Sequence, residues 1–211
     1  GFDLAQIVAR SRAVAEQLST GVRHLLRKRQ VEVIEGHGRL TGDGGVEIDA
    51  RDGASQCVRA EHVIVATGAR ARVVAPLEPD GRLVWSYRDA LSPQAMPKSL
   101  LVVGSGAIGI EFATFYSALG AEVTVVEMLD RVLPVEDEEV SEFARKAFTR
   151  RGLRIITGAT VTGLARGADD VTVTLTADGQ SSTLRVDRVL SAVGIVGNVE
   201  DIGLEKTRVQ V

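Results

Sequence analysis

The sequence of 211 residues has one cysteine, Cys57, and three histidines. A single cysteine excludes a disulfide framework and a cysteine-rich metal site. The histidines His24, His37 and His62 are too far apart in sequence to show a ligand spacing. We interpret Cys57 as a small, half-buried apolar residue of a strand, and His37, which stands between two glycines, as a loop residue. The sequence therefore predicts no metal site.

An excess of charge of one sign is also missing. The 25 basic and 28 acidic side chains give a formal net charge of −3, whereas a nucleic-acid-binding module would need a basic stripe. The basic residues between positions 23 and 29 are interpreted as a solvated helix end. We therefore expect no nucleic-acid partner.

Long apolar runs are absent as well. No run approaches the roughly 20 residues that a membrane span needs, and no signal peptide is visible, so we expect a cytoplasmic protein without a membrane partner. The apolar fraction of 45% and the charged fraction of 25% are typical of a globular protein. The chain begins at Gly1 inside a helical pattern, has its first methionine at Met96, and ends in the strand-like stretch Thr207–Val211. We interpret it as an excised piece of a longer protein.

The first part of the sequence combines a long helix with short strands. Apolar residues recur at helical spacing over residues 3–29, with Asp3 as the N-cap. The period then changes to two, and short strands within 31–40, 46–48 and 57–58 predict an antiparallel meander.

Two further segments precede a change of pattern. The run His62–Thr67 is continuously apolar, as is typical of strands buried on both faces. Residues 69–98 contain four of the five prolines and are predicted to form an irregular connection, in which Trp85 anchors the loop.

A more regular pattern starts at Ser99. Strands and helices alternate with short links, which predicts a parallel sheet covered by helices. The predicted elements are strand 100–103, helix 107–119, strand 122–126, helix 137–151, strand 153–156, antiparallel strands 161–164, 171–175 and 184–186, and a buried strand 188–193. The second helix has the predicted core stripe Val140, Phe143, Ala144, Ala147 and Phe148. We predict an α/β fold with a Rossmann-like parallel sheet and an antiparallel β-meander.

A glycine pattern between the first strand and helix of this region is the strongest functional signal. Gly104, Gly106 and Gly109 follow the strand and open the helix. The first permits a tight turn, the second lets a diphosphate approach the backbone, and the third lets helix and strand pack closely. The helix N-terminus adds free N–H groups and about half a positive charge. The pattern predicts a dinucleotide-binding site.

An acidic residue, Glu127, ends the next strand, eighteen residues after Gly109. A carboxylate there accepts hydrogen bonds from the hydroxyls of an adenosine ribose and repels a 2′-phosphate, which predicts NAD rather than NADP. Met128 and its successors supply no arginine for such a phosphate before Arg131, whose direction the sequence does not define. Glu111, one turn inside the helix, has two interpretations: it faces solvent, or it pairs with a cation from elsewhere.

Two strand ends carry weaker signals. Ala66-Thr67-Gly68 and Ser191–Gly194 each close an apolar strand, and α/β sheets bind ligands at the carboxyl ends of their strands. Each pattern also fits an ordinary strand-end turn.

Five segments together carry a resemblance to a known family: Ile64–Ala69, Val102–Phe112, Val125–Met128, Leu133–Val140 and Ala192–Asn198. They resemble the pyridine nucleotide–disulfide oxidoreductases, and within them the branch that oxidises dihydrolipoamide. The resemblance implies an NAD-dependent flavoprotein oxidoreductase. A redox-active disulfide oxidises dihydrolipoamide of a 2-oxo acid dehydrogenase complex, FAD accepts the electrons, and hydride passes to NAD+. It also implies a homodimer.

The resemblance also implies roles for individual residues. Implied NAD contacts are Gly104, Ser105, Gly106, Ala107, Ile108, Gly109, Glu111, Glu127, Met128, Val161 and Gly194. Implied FAD contacts are Gly38, Ala66, Thr67 and Gly68. Ile108 would lie near the contact of nicotinamide and flavin, and Glu111 would pair with a lysine beside the flavin.

By the same resemblance, the chain divides into three parts. Residues 1–98 correspond to the end of a first FAD-domain segment, 99–194 to an NAD-binding domain and 195–211 to the start of a second FAD-domain segment, so part of a second α/β domain flanks the Rossmann-like sheet. The family's Cys-x4-Cys pair, flavin-side lysine and His–Glu pair do not occur in this sequence, and we expect no catalysis by these residues alone. Two alternatives stay open: another FAD/NAD(P)H reductase of the superfamily, or a non-catalytic dinucleotide-binding Rossmann module.

Overall fold

The computed structural model describes all residues from 1 to 211, and they form two compact units. The sheet unit consists of Gly1–Arg10 and Ala71–Ile195, and the meander unit of Ser11–Arg70 and Val196–Val211. In chain order the elements are α1 (Leu4–Lys28), β1 (Gly36–Leu40), β2 (Gly45–Ala50), β3 (Ser55–Arg59), β4 (Ala69–Ala71), β5 (Val84–Trp85), α2 (Tyr87–Ala90), β6 (Ser99–Val103), α3 (Ala107–Ala118), β7 (Glu122–Val126), α4 (Glu138–Arg150), β8 (Arg154–Ile156), β9 (Ala159–Arg166), β10 (Val171–Ala177), β11 (Gln180–Val186), β12 (Arg188–Ser191) and β13 (Ile195–Gly197). The three-part domain division stays a prediction.

The antiparallel meander is present in the meander unit. Strands β1, β2 and β3 form a three-stranded sheet in which Leu40 pairs with Val46 and Glu47 with Cys57. The long helix α1 begins after its predicted N-cap, because the backbone N–H of Gln6 donates to Asp3 Oδ1 at 3.1 Å. The predicted helix and meander are therefore confirmed.

The strand predicted at His62–Thr67 is wrong. No strand is formed there, and the Ile64 side chain is 90% exposed. A strand exists only where a neighbouring strand pairs its N–H and C=O groups, and no strand of the chain pairs with this segment. Asn198 contacts its end instead, since Asn198 Nδ2 donates to Thr67 O at 3.0 Å.

Smaller predictions in the meander unit also fail. The first strand begins at Gly36, so Val31 and Val33 lie outside it and are exposed. His37 lies in β1 rather than in a loop, because its neighbour Gly36 lets the strands approach closely: a Cβ there would stand 2.5 Å from Asp49 O. Cys57 was predicted to be half-buried but is exposed, because it lies on β3, an outer strand of the sheet. Thr207–Val211 was predicted to be strand-like but forms no strand, because no other strand pairs with it.

A five-stranded parallel sheet of order β5–β12–β6–β7–β8 forms the centre of the sheet unit. Val103 of β6 pairs with Ser191 of β12 on one side and with Val126 of β7 on the other. Successive side chains of a strand point to opposite faces. Those of β6 therefore enter two buried clusters: one includes the antiparallel sheet β11–β10–β9 and the other includes α3. The predicted α/β fold is confirmed.

The proline-rich residues 69–98 contain more regular structure than predicted. Val84 and Trp85 form β5, an edge strand that pairs with Val189 and Leu190 of β12. Both side chains of β5 are buried, so Trp85 belongs to the sheet core rather than to a loop. The backbone of β12 thereby gains a hydrogen-bonded partner strand on this side. The sequence did not predict β5, because a strand of two residues is too short to show a periodic pattern.

The predicted core stripe of α4 is rotated relative to the observed one. Phe143 is 70% exposed and Val140 is 50% exposed, whereas Ser141 is buried. The Ser141 hydroxyl donates to Leu133 O at 3.2 Å, which turns this side of the helix inward. Phe148 lies on the inward side and packs against the cluster that includes α3.

Candidate functional site: a groove at the carboxyl ends of three strands

The bend between β6 and α3 requires glycine at two positions. Gly104 has a φ of +100°, and a Cβ there would stand 2.3 Å from Ala192 O. A Cβ at Gly109 would stand 2.0 Å from Gly104 O. The first glycine therefore permits the turn and the close approach of the β12 end, and the second permits the helix to pack against the bend.

Gly106 differs from these two because it faces open space. It is the N-cap of α3, and a Cβ at this position would meet nothing within 4 Å. The first hydrogen bond of the helix runs from Ile110 N to Gly106 O at 3.0 Å, so the amides before Ile110 have no partner within the helix. An anionic group can therefore approach the bare backbone here.

Glu127, directly after β7, is buried with 7% of its surface exposed. Its Oε2 accepts hydrogen bonds from Ser105 N at 2.8 Å and from Ser105 Oγ at 2.7 Å. Its Oε1 accepts one from Leu129 N at 3.0 Å. Since each carboxylate oxygen can accept two hydrogen bonds, Oε1 retains one acceptor position. The bend itself thus orients the carboxylate, a contact that the sequence spacing did not reveal.

A groove of about 610 Å³ joins these features. Of the residues for which NAD contacts were predicted, it brings together Gly104, Ser105, Gly106, Glu127, Met128, Val161 and Gly194. The others lie on α3 outside its lining: Ala107 and Glu111 are exposed, Ile108 is half-buried and Gly109 is buried. Glu111 makes none of the ion pairs present in the chain, and both of its interpretations stay open, since the second involves a cation from elsewhere.

Sequence reasoning missed several residues of the groove. Arg72, Pro134 and Thr160 also line it, although they lie far from the glycine pattern in the sequence. Arg131 is absent from the lining: its guanidinium donates to Pro134 O at 3.3 Å and lies 4.0 Å from a Glu138 oxygen. No local sequence motif identifies Arg72 as a groove residue, because only the folded sheet brings it to the groove.

The residues with predicted FAD contacts lie in the meander unit. Thr67 Oγ1 donates to Asn198 O at 2.6 Å, and Asn198 N donates to Gly68 O at 3.0 Å. Gly38 lies within β1, where a Cβ would stand 3.3 Å from Val46 Cγ1. Gly68 leads into strand β4 rather than into a helix. These residues, with Ala66, offer backbone contacts but no helix N-terminus for a diphosphate, so they do not make a flavin site by themselves.

No group of three or more His, Cys, Asp or Glu residues is arranged to hold a metal ion. None of the helices is both long and apolar enough to cross a membrane.

Comparisons with known proteins agree with this geometry. The family model described as pyridine nucleotide-disulphide oxidoreductase matches residues 3–211. A dihydrolipoyl dehydrogenase of Zymomonas mobilis is 48% identical over 206 residues, covering 97% of this chain and 44% of that protein. One of Rhizobium etli is 44% identical, covering 96% of this chain and 45% of that protein.

A solved structure shows the same relation in three dimensions. LpdA from Mycobacterium tuberculosis superposes with a TM-score of 0.90 at 34% identity, covering 100% of this chain and 46% of that one. The chain therefore spans somewhat less than half the length of these relatives.

Proposed function

Because the chain belongs to the pyridine nucleotide-disulphide oxidoreductase family, we propose that its groove binds NAD(H) as the nucleotide site of an NAD-dependent dihydrolipoyl dehydrogenase. The observation that carries the proposal is that the open edge at Gly106 and the carboxylate of Glu127 line the same groove. This edge accepts a diphosphate, and a carboxylate one strand away accepts ribose hydroxyls.

Each end of the groove takes a different part of the dinucleotide. The amides at the start of α3 hold the diphosphate, and Oε1 of Glu127, with its remaining acceptor position, receives a hydroxyl of the adenosine ribose beside Met128. Val161 and Gly194 contact the rest of the molecule. The negative charge of Glu127 repels a 2′-phosphate, and Arg131 is hydrogen-bonded to Pro134 O instead, so NAD is favoured over NADP.

The remainder of the proposed activity is supported by the similarity to the dihydrolipoyl dehydrogenases. In a dihydrolipoyl dehydrogenase, FAD would supply the two-electron chemistry between dihydrolipoamide and NAD+, and Ile108 and Glu111 would lie near the contact of nicotinamide and flavin. The substrate is dihydrolipoamide of a 2-oxo acid dehydrogenase complex, and the protein is a homodimer. With Cys57 as the only cysteine, these residues bind dinucleotide but do not oxidise dihydrolipoamide.

Calorimetric titration with NAD+ and NADP+ tests the nucleotide site. We expect NADP+ to bind at least about tenfold more weakly, which corresponds to about 1.4 kcal/mol. Glu127→Ala should weaken NAD+ binding by about 10- to 100-fold, because a hydrogen bond to a charged group contributes about 1.5–3 kcal/mol, and should bring the two affinities together. Glu122→Ala, at the exposed start of β7, is the matched control. Equal preference for NAD+ before and after Glu127→Ala would reject the ribose role.

A further inference from the structure

Arg72 brings a positive charge to the groove from a part of the sequence that carries no recognisable motif. Its backbone N–H donates to Gly194 O at 2.9 Å, which holds residue 72 beside the end of β12. Its Nε lies 3.6 Å from the point where a Cβ of Gly194 would stand, and its side chain lines the groove. This distance is an ordinary van der Waals contact, so the guanidinium packs directly against Gly194, where the φ of +111° favours glycine.

The guanidinium of Arg72 has no carboxylate partner. Arg70, two residues earlier, is bound by Glu200 at 2.7 Å, but no ion pair of the chain includes Arg72. Glu127, the acid in the same groove, forms no ion pair with Arg72 and is oriented by Ser105 and Leu129 instead. An unpaired arginine in a groove is available to an anionic ligand.

The balance of charge within the groove makes Arg72 important. Of the side chains that line it, Arg72 is the one cation and Glu127 the one anion. Without Arg72 the groove would carry a net negative charge, which repels the diphosphate that the bend accepts. The helix N-terminus offers only about half a positive charge.

The sheet fixes the order of these groups. Ser191, Val103 and Val126 pair at one level of β12, β6 and β7, so the ends of these strands lie side by side at about 4.8 Å spacing. Arg72 stands beyond the β12 end, the glycine bend follows β6, and Glu127 follows β7. The bend thus lies between the cation and the anion.

We propose that Arg72 is a further binding residue, which holds the diphosphate of the dinucleotide from the β12 side of the groove. This inference rests on the proposed function of the groove. The planar guanidinium fork matches two phosphate oxygens, and it keeps its charge at all physiological pH values. Arg72 and the amides of α3 then hold the diphosphate from two sides, while Glu127 selects the sugar.

The test measures NAD+, ADP-ribose and adenosine binding to the chain by calorimetry. Arg72→Ala should weaken NAD+ and ADP-ribose by about 10- to 100-fold, as expected for loss of a hydrogen bond between charged groups, and leave adenosine unchanged. It should also reduce the loss of NAD+ affinity between low and high salt. Arg72→Lys should retain part of the affinity, because the charge stays but the fork is lost.

Arg154→Ala is the matched control, since Arg154 is exposed at the start of β8 and outside the groove lining. Fluorescence of the single tryptophan, Trp85, which is buried in the sheet unit, verifies that each variant is folded. If Arg72→Ala binds NAD+ as tightly as the wild type, or loses adenosine to the same degree, the inference about Arg72 is overturned while the proposed function stands. If the wild type binds no NAD+, the proposed function fails, and the inference fails with it.

Discussion

The two units of the chain differ in what happens to their apolar residues. In the sheet unit, Leu100, Val102 and Val125 have no exposed surface, whereas in the meander unit Leu18 is 66% and Ile64 is 90% exposed. Both regions carry comparable apolar patterns in the sequence. The difference shows that an apolar pattern in the sequence indicates only which side chains a segment could bury. Whether they are buried depends on another element that packs against them.

Helices and strands respond differently when a partner is lacking. α1 has no buried residue, yet it is helical, because the hydrogen bonds of a helix lie within the segment itself. The segment His62–Thr67 is more apolar but is not a strand, because a strand needs the hydrogen-bonding groups of another strand. The helix predicted from the sequence is therefore confirmed and the strand is not.

The largest effect that separates the two regions is expected in amide hydrogen exchange. The amides of β6 and β7 should exchange at least about 1,000-fold more slowly than those of residues 62–67. The central strands open only when the whole unit unfolds, which requires a free energy of roughly 5 kcal/mol or more, whereas the free energy of opening an unpaired segment is near zero. Mass spectrometry of peptides from both regions measures this ratio. Equal protection of 62–67 would mean that the strand forms in solution after all.

The next largest effect concerns the close packing at the glycine bend. Gly109→Ala should lower the free energy of unfolding of the sheet unit by about 3 kcal/mol or more, since its Cβ would stand 2.0 Å from Gly104 O. Gly120→Ala is the control, because it has a φ of +97° but open space around it, and it should cost about 1–2 kcal/mol from backbone strain alone. Denaturant unfolding followed by Trp85 fluorescence compares them. Equal losses would show that the bend is less tightly packed than the structure indicates.

The smallest effects distinguish two buried hydroxyls in the packed unit. Tyr116 Oη donates to Ala90 O at 2.7 Å, whereas the buried Ser191 Oγ has no partner. Tyr116→Phe should destabilise the unit by about 1 kcal/mol, and Ser191→Ala should leave it unchanged or stabilise it by up to about 1 kcal/mol, because an unsatisfied buried hydroxyl is unfavourable. The same fluorescence measurement applies to both. A clear loss for Ser191→Ala would mean that a bound water satisfies its hydroxyl.

Much of the sheet unit was predictable because its signals are local. Strand, glycine pattern, helix and acid follow one another between β6 and Glu127, and each element appears within a residue or two of its predicted bounds. The edge strand β5 was not predictable, since two residues carry no period. The buried side of α4 was also predicted wrongly. The apolar residues alone place Phe143 inside, whereas in the structure Ser141 is buried and its hydroxyl donates to Leu133 O.

The sequence by itself determined the glycine bend and the acid at the end of the next strand. Both depend only on residue types at short spacings, and these can be read directly from the sequence. Only the tertiary structure decided that Ser105 orients Glu127 and that Arg72 enters the same groove from beyond β12. Contacts between distant residues depend on which strands lie side by side, and strand order arises from packing of the whole sheet, not from any local stretch of chain.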